Sequence, residues 1–584
     1  MRSLKILASI VIILLLLGGA AFGYLFKTGF FTDPQIALRA LKKQDIAPNS
    51  ASVHDAATKG DFATLSLLSR AKVDFTQVNE AGQNALHLAL NAQKFKTIPL
   101  LESEGCDLNA RDSAGNTPLS LAFDFKQPEL ASSFLTSGAN ANFTLPNGEL
   151  ALPGYYQAKR LNEVSLLLGN GADPNSPASD GQTTLSLALQ DGQANLACTL
   201  IEKGANPNAL ILGEPTLNAV LRNWKGWQLE QSAAMRILGS LLVSGADIEK
   251  EDSKGQRPLQ IALETDFRPS LELLMPRVEN VSGCLWLAIQ HNNVAAIKEL
   301  LVKGTPVEEV GPAGDTPLLY AIRQNRPSLV TALLSSGADP DQFCNEGQRA
   351  LFLALALQNN DIILTLLNHE NKPSLNVIME ETVSEEFRTL YGKTQKSQLD
   401  WYCRNETGLT SLMFAVLIKN LPAAERMIAL GMDKNQGTAK PGVVYPIQMA
   451  AKNGDVKMQQ LILGVPYADD QQTRKFVIDL SSQKVTYYEH GEVKKTSRIS
   501  SGQRGHRTPT GEFVITDKDR NHRSNLYGGA KMNYFQRFSC RAEGFHEGYT
   551  GSSFASHGCV RLPRSTAQFF WKHTKVGDRV TIQQ

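Results

Sequence analysis

A step of 33 residues recurs through most of this chain, and it restricts the possible folds more than any other feature. The tripeptide Gly-Ala-(Asp/Asn), or a close variant, starts at Gly105, Gly138, Gly171 and Gly204 and returns at Gly245, Gly304 and Gly337. A second glycine series keeps the same step at Gly82, Gly115, Gly148 and Gly181, followed at several positions by a turn such as Thr117-Pro118-Leu119. Thr316-Pro317-Leu318 is a further clear copy. Self-similarity at this period predicts a stack of small units, each burying its apolar face on its neighbours. Proline in a first helical turn costs little, since its missing N–H would have no partner there. Leu86, Leu88 and Ala89, then Leu100 and Leu101, recur at helical spacing, and glycine after the second helix suits a left-handed position. About eleven copies run from residue 50 to 463. Those around 245–300 and 345–435 are degenerate, and residues 372–403 read as an insertion rich in Glu, Lys and Thr.

The pattern resembles the ankyrin repeat. That resemblance implies an all-α, elongated and curved solenoid whose concave face usually binds protein, so an unidentified protein partner is expected there; a spacer is the competing use. Cys106, Cys198, Cys284, Cys344 and Cys403 are most simply packed thiols. The seven cysteines form no CxxC pair, which argues against a disulfide-built miniprotein or a zinc ribbon.

From Ile6 to Phe26 runs an uncharged stretch bounded by Lys5 and Lys27. As a helix it would span about 30 Å, the hydrocarbon thickness of a bilayer. Arg2, Lys5 and the amino terminus precede it, so the positive-inside bias exports everything that follows. A cleavable signal peptide is the alternative, with Ala21-Phe22-Gly23 as the cleavage site. The apolar run continues past that site to Phe26, which favours an uncleaved anchor. The expected organisation is a cytoplasmic tip and transmembrane anchor at 1–31, a linker at 32–49, the solenoid at 50–463 and a second linker at 464–473.

Beyond residue 473 the pattern changes to short strands. Lys475–Leu480 and Lys484–Tyr488 read as two strands about a polar turn, His490-Gly491 as a second turn, and Thr508-Pro509-Thr510-Gly511 as a third ahead of Glu512–Thr516. A mostly β domain at 474–584 follows. Near its end stand Gly544-Phe545-His546-Glu547-Gly548 and Ser556-His557-Gly558-Cys559-Val560-Arg561. Cys559 is a candidate nucleophile. A thiol with a pKa of about 8.5 needs an imidazole or a cation beside it to react as thiolate at neutral pH. His557 shares a face with Cys559 if both lie on one strand, and His546 is within reach from a neighbouring strand; spacing alone does not choose between them. Gly558 lets a carbonyl approach backbone N–H groups able to hold an oxyanion. Competing readings are a zinc site with Cys540, a Cys540–Cys559 disulfide, or a packed thiol.

The tail is similar to the L,D-transpeptidase catalytic domain of YkuD type. The resemblance rests on His546 followed by Ser556-His557-Gly558-Cys559, on Phe476–Leu480, on Thr508–Gly511 and on Met532–Phe538. It implies a mainly β sandwich and thiol-based acyl transfer on peptidoglycan tetrapeptide stems. By motif position Cys559 would be nucleophile, His546 general base and His557 an orienting residue, with Ser556, Gly558 and Arg561 in support. The interval from His546 to His557 is shorter than in many members. No metal or organic cofactor is implied.

The net charge of +2 argues against general nucleic-acid binding, but residues 473–584 hold nineteen Lys and Arg against nine Asp and Glu. Such a field attracts a carboxylate-rich polymer. The sequence therefore predicts a multidomain chain: an N-terminal transmembrane helix in a bacterial cytoplasmic membrane, a solenoid, and an extracytoplasmic cysteine transpeptidase. The rivals are a carboxypeptidase or amidase on the same fold, and a scaffold whose inactive tail binds the wall.

Overall fold

A computed structural model describes residues 34–391, 398–439, 442–467, 473–551 and 554–584. The expected anchor at Ile6–Phe26 and the core of the second linker, 468–472, lie outside the described residues. Among the described residues no helix is long and apolar enough to cross a membrane. The chain divides into two compact units, 1–280 and 281–584.

The first unit opens on a correction. The stretch 32–49, expected as a linker, carries helix α1 (Pro34–Lys43), which packs on α2 (Phe62–Arg70). Ala37 and Leu41 stand one turn apart on one face, and both are fully buried, so the segment caps the first repeat. Seven helix pairs follow, from Ser50–Lys59 with α2 to Pro258–Glu264 with Arg268–Leu274. The Thr-Pro-Leu turn works as its chemistry requires: Thr117 accepts from the Ser120 N–H, and Pro118 opens α3 (Pro118–Asp124). The motif glycines adopt the left-handed conformation, as at Gly138 with φ 100° after α4 (Pro128–Thr136). Asparagines four residues past Gly105, Gly138, Gly171 and Gly204 stitch successive repeats. Asn142 receives the Asp173 N–H at 2.7 Å and donates to the Gly171 carbonyl at 3.4 Å; Asn175 repeats this with Asn206 and Gly204.

The second unit holds five more pairs and the β domain, twelve pairs in all among the described residues against the eleven expected. The insertion is built into the stack: Phe387 and Cys403 are fully buried, and Ile378–Met379 pairs with Leu409–Thr410. The last pair is α5 (Pro446–Lys452) and α6 (Val456–Leu463).

The β domain is an eight-stranded sheet. In chain order its strands are β1 (Arg474–Asp479), β2 (Lys484–Glu489), β3 (Glu492–Arg498), β5 (Gly511–Arg523), β6 (Lys531–Phe538), β7 (Gly544–Glu547), β9 (Val560–Leu562) and β10 (Arg579–Gln583). The spatial order is β9-β7-β6-β5-β10-β1-β2-β3. A two-stranded side sheet pairs β4 (Ser501–Gly502) with β8 (Phe554–Ser556). Period-two alternation puts Phe476 and Ile478 of β1 in the core. There Phe476 meets Tyr487, Phe545 and Phe570 with ring centroids 4.8–5.0 Å apart. Phe570 comes from α7 (Arg564–His573), which packs against β6 and β7.

The start of the expected 464–473 linker is not free. Val465 packs on Gly577, where a Cβ would stand 2.5 Å from its Cγ2. Helix α6 docks on β5. Its Gln459 and Gln460, 0% and 2% exposed, donate to the Glu512 and Gly577 carbonyls at 3.0 and 2.9 Å.

Candidate active site

Strands β7 and β9 run parallel, with Phe545 beside Val560 and His546 beside Arg561. Alternation sends Phe545 and Val560 into the core and turns His546 and Arg561 to the other face. Cys559, just before β9, joins them: all three line a cleft of about 390 Å³. Both histidines that spacing left open line this cleft, and topology gives them different surroundings. His546 is the buried one, 6% exposed.

His557 and Cys559 do not share a strand as expected. Residues 557–559 form a turn in which Gly558 has φ 110°, a conformation that side-chain-bearing residues rarely adopt. His557 is exposed, its ring 4.7 Å from that of His506 and 4.8 Å from that of Tyr527. Ser556 clamps the turn: its hydroxyl donates to the Cys559 carbonyl and accepts from the Gly558 N–H at 3.2 Å. That N–H is therefore engaged and not free for an oxyanion. Gly558 is required for its backbone angle, and it leaves space for Glu543, whose Cγ a Cβ would meet at 3.2 Å.

Two supporting residues escaped the sequence reading. Thr508, part of a turn signal, is buried; it accepts from the Gly502 N–H at 2.9 Å and donates to the Gly558 carbonyl at 2.8 Å, fixing the turn that carries Cys559. Gly544 offers its N–H to the Cys559 thiol. A Cβ on Gly544 would lie 2.2 Å from the Gln536 carbonyl oxygen of β6, a backbone atom with nowhere to move. Gly544→Ala is expected to lose about 3 kcal/mol or more in urea unfolding. Native stability in that variant would contradict the close approach.

Electrostatically the pair rests neutral. Burial pushes the Cys559 thiol up, against the opposing pull of the Gly544 N–H and of Arg537 and Arg561. Burial, with Arg561 and His522 adding to it, brings His546 down to about 4. His546 Nδ1 lies 2.7 Å from the Glu547 carbonyl. Nδ1 therefore carries the proton, and Nε2 is left as the basic nitrogen.

A second cleft, about 260 Å³, is lined by His522, Leu526, Arg537 and Glu543. It shares Tyr527, Met532, His557 and Cys559 with the first. Cys559 thus stands where two clefts meet. Among the described residues no cluster of three or more His, Cys, Asp or Glu is placed to hold a metal, and all seven cysteines are free thiols.

A family model described as the L,D-transpeptidase catalytic domain matches residues 473–582, and one for ankyrin repeats matches 53–144 and 285–377. Among solved structures the chain is similar to an L,D-transpeptidase from Mycobacterium smegmatis at 24% identity, covering 19% of this chain and 59% of that one, with a TM-score of 0.18. It is also similar to one from Stackebrandtia nassauensis at 21% identity, covering 27% and 88%, with a TM-score of 0.19. Among curated proteins it matches a putative palmitoyltransferase ZDHHC13 of Danio rerio at 37% identity over 97 residues, 16% of this chain. It matches the B-cell lymphoma 3 protein homolog of Mus musculus at 26% over 183 residues, 31% of this chain. The chain spans 15% and 35% of the length of these two relatives. Residues 473–582 are an L,D-transpeptidase catalytic domain of YkuD type, and ankyrin repeats precede it.

Proposed function

We propose that the protein is an extracytoplasmic, membrane-anchored L,D-transpeptidase that acts on peptidoglycan stem peptides through a thioester on Cys559. The observation that carries this reading is the cleft that Cys559, in the turn just before β9, lines together with His546 of β7, where a second cleft also reaches Cys559. One cleft would hold the acyl donor, the other the acceptor. Export rests on the uncharged Ile6–Phe26 stretch and on the location of the substrate.

In the first step the Cys559 sulfur attacks the carbonyl carbon of the L-centre residue in a tetrapeptide stem, while its proton passes to His546 Nε2. Because the resting thiol is raised and the imidazole lowered, transfer and attack proceed together rather than from a standing ion pair. The tetrahedral intermediate collapses, the C–N bond to the terminal D-alanine breaks, and His546 returns the proton to the departing amine. In the second step an amine from another stem attacks the thioester and gives its proton to His546. The C–S bond breaks, and the thiol recovers that proton. Arg561, on the face shared by both residues, adds positive charge beside the developing thiolate and oxyanion. The ankyrin repeats would carry a protein partner that places the enzyme.

The test is mass spectrometry of tetrapeptide muropeptides incubated with the full chain, beside Cys559→Ala. Cross-linked dimers with loss of D-alanine, absent from the control, support the proposal. Shortened monomers alone would make the protein a carboxypeptidase, and no Cys559-dependent product would leave a wall-binding scaffold. The pH profile adds a second check. His546 stays neutral down to about pH 4, so the acid limb of kcat/KM is expected near 4. A limb near 6.5, the ordinary histidine value, would remove His546 as the base.

A further inference from the structure

A cavity of about 1050 Å³ in the second unit lies away from Cys559. It lies between the last repeat and the β domain, lined by Lys452, Arg507, Glu512, Phe513, Arg541 and Glu543 among others. We propose that this groove is a binding site for a carboxylate-bearing peptide segment of the enzyme's polymeric substrate, so that the last ankyrin repeat forms one wall of the substrate site. The substrate's identity rests on the transpeptidase reading; the groove's chemistry does not.

Three observations carry the proposal. The first is continuity. Ala542 and Glu543 line both this groove and the second cleft, which reaches Cys559. Arg507 and Pro509 flank Thr508, which holds the Gly558 carbonyl, and Glu543 packs beside Gly558 itself. The groove therefore adjoins the cleft that reaches Cys559.

The second is charge. Arg507 and Arg541 are exposed, and neither side chain has an ion pair or hydrogen bond among the described residues. Lys452 Nζ sits over the Trp401 and Tyr402 rings at 5.2 and 5.4 Å, and among the described residues no carboxylate pairs with it. Of the two carboxylates in the lining, Glu512 is already held by Arg579 at 2.8 Å. The balance favours an anionic guest. Phe513 and Pro509 supply apolar surface for a peptide's side chains.

The third is rigidity. The two walls do not slide, because Gln459 and Gln460 bond across the junction and Ala451 of α5 belongs to the same buried cluster as Phe476 and Ile515. The groove is pre-formed, so binding there pays no cost for ordering a hinge.

The experiment uses the full chain carrying Cys559→Ala, which binds without turnover, and soluble multi-stem peptidoglycan fragments as the probe. Adding Lys452→Glu, Arg507→Glu and Arg541→Glu is expected to weaken fragment binding at least tenfold and to flatten its salt dependence. The same charge change on the far edge of the sheet, Lys484→Glu, Lys494→Glu and Arg498→Glu, is expected to leave binding within twofold. Arg541→Gln alone, with a native unfolding transition, should weaken binding in the same direction; it guards against misfolding of the triple variant. Unchanged affinity in the groove variants, or equal loss in the edge variants, overturns the proposal, as does a parent chain that binds no fragment. D-alanine release by the unmodified chain is read separately. Release with unaltered groove-variant binding sinks the groove and spares the transpeptidase; groove-dependent binding without any release does the reverse.

Discussion

If Cys559 is the nucleophile we propose, Cys559→Ala in the full chain is expected to lower D-alanine release by at least ~10⁴-fold, since removing a nucleophile leaves only binding and electrostatic assistance. His546→Gln should produce a loss of similar order. It keeps a polar side chain on β7 but removes the basic Nε2, the group that takes the thiol proton. The double variant should be no worse than either single one, because the two residues act as one proton-transfer unit. Stability should hardly change for Cys559→Ala, since a small thiol gives way to a methyl group at a site 7% exposed. Single-turnover release of D-alanine, with urea unfolding in parallel, checks both points. More than a tenth of the activity remaining in folded Cys559→Ala would refute the thioester mechanism.

The second large effect concerns the junction. Residues 473–584 alone are expected to be several kcal/mol less stable than the same domain within 281–584. The last repeat supplies Ala451 to the apolar cluster and two buried amides to backbone groups of the sheet. Within the intact unit, Gln460→Leu leaves the Gly577 carbonyl buried without its donor. Gln459→Leu does the same to Glu512 and also strands the Ser539 hydroxyl that donates to Gln459. Each should cost about 1–3 kcal/mol. Urea unfolding followed by tryptophan fluorescence, from Trp571 in 473–584 and from Trp286, Trp401 and Trp571 together in 281–584, measures the loss. An isolated 473–584 as stable as the longer unit would show that the junction contributes nothing to the fold.

Much of this architecture was legible in the residues because its signals are local. A Thr-Pro-Leu turn, a glycine that must turn left-handed and apolar residues at helical spacing each describe one repeat; periodicity does the rest. The His546 and Ser556–Cys559 segments were legible for a similar reason, as short runs with unusual residue types. The reading failed where the deciding partner lies far along the chain. Helix α1 looked like a linker because its apolar face is short, and only α2 gives that face a place to bury. Gly558 looked like an open path to backbone donors, yet Ser556 occupies its N–H. Thr508 looked like turn chemistry, and its hydroxyl proved to hold a carbonyl fifty residues away.

By itself the sequence determined the repeat stack, the β domain after it, and the residue types available for thiol chemistry, since each follows from the spacing of neighbours along the chain. Only the tertiary structure decided how the two histidines are placed: the parallel pairing of β7 and β9 buries His546, and the turn at 557–559 leaves His557 exposed. It alone raised the thiol and lowered the imidazole, because desolvation depends on what packs around a group and not on what precedes it. It also joined the last repeat to the β domain, where two glutamines of α6 reach carbonyls 53 and 117 residues further on.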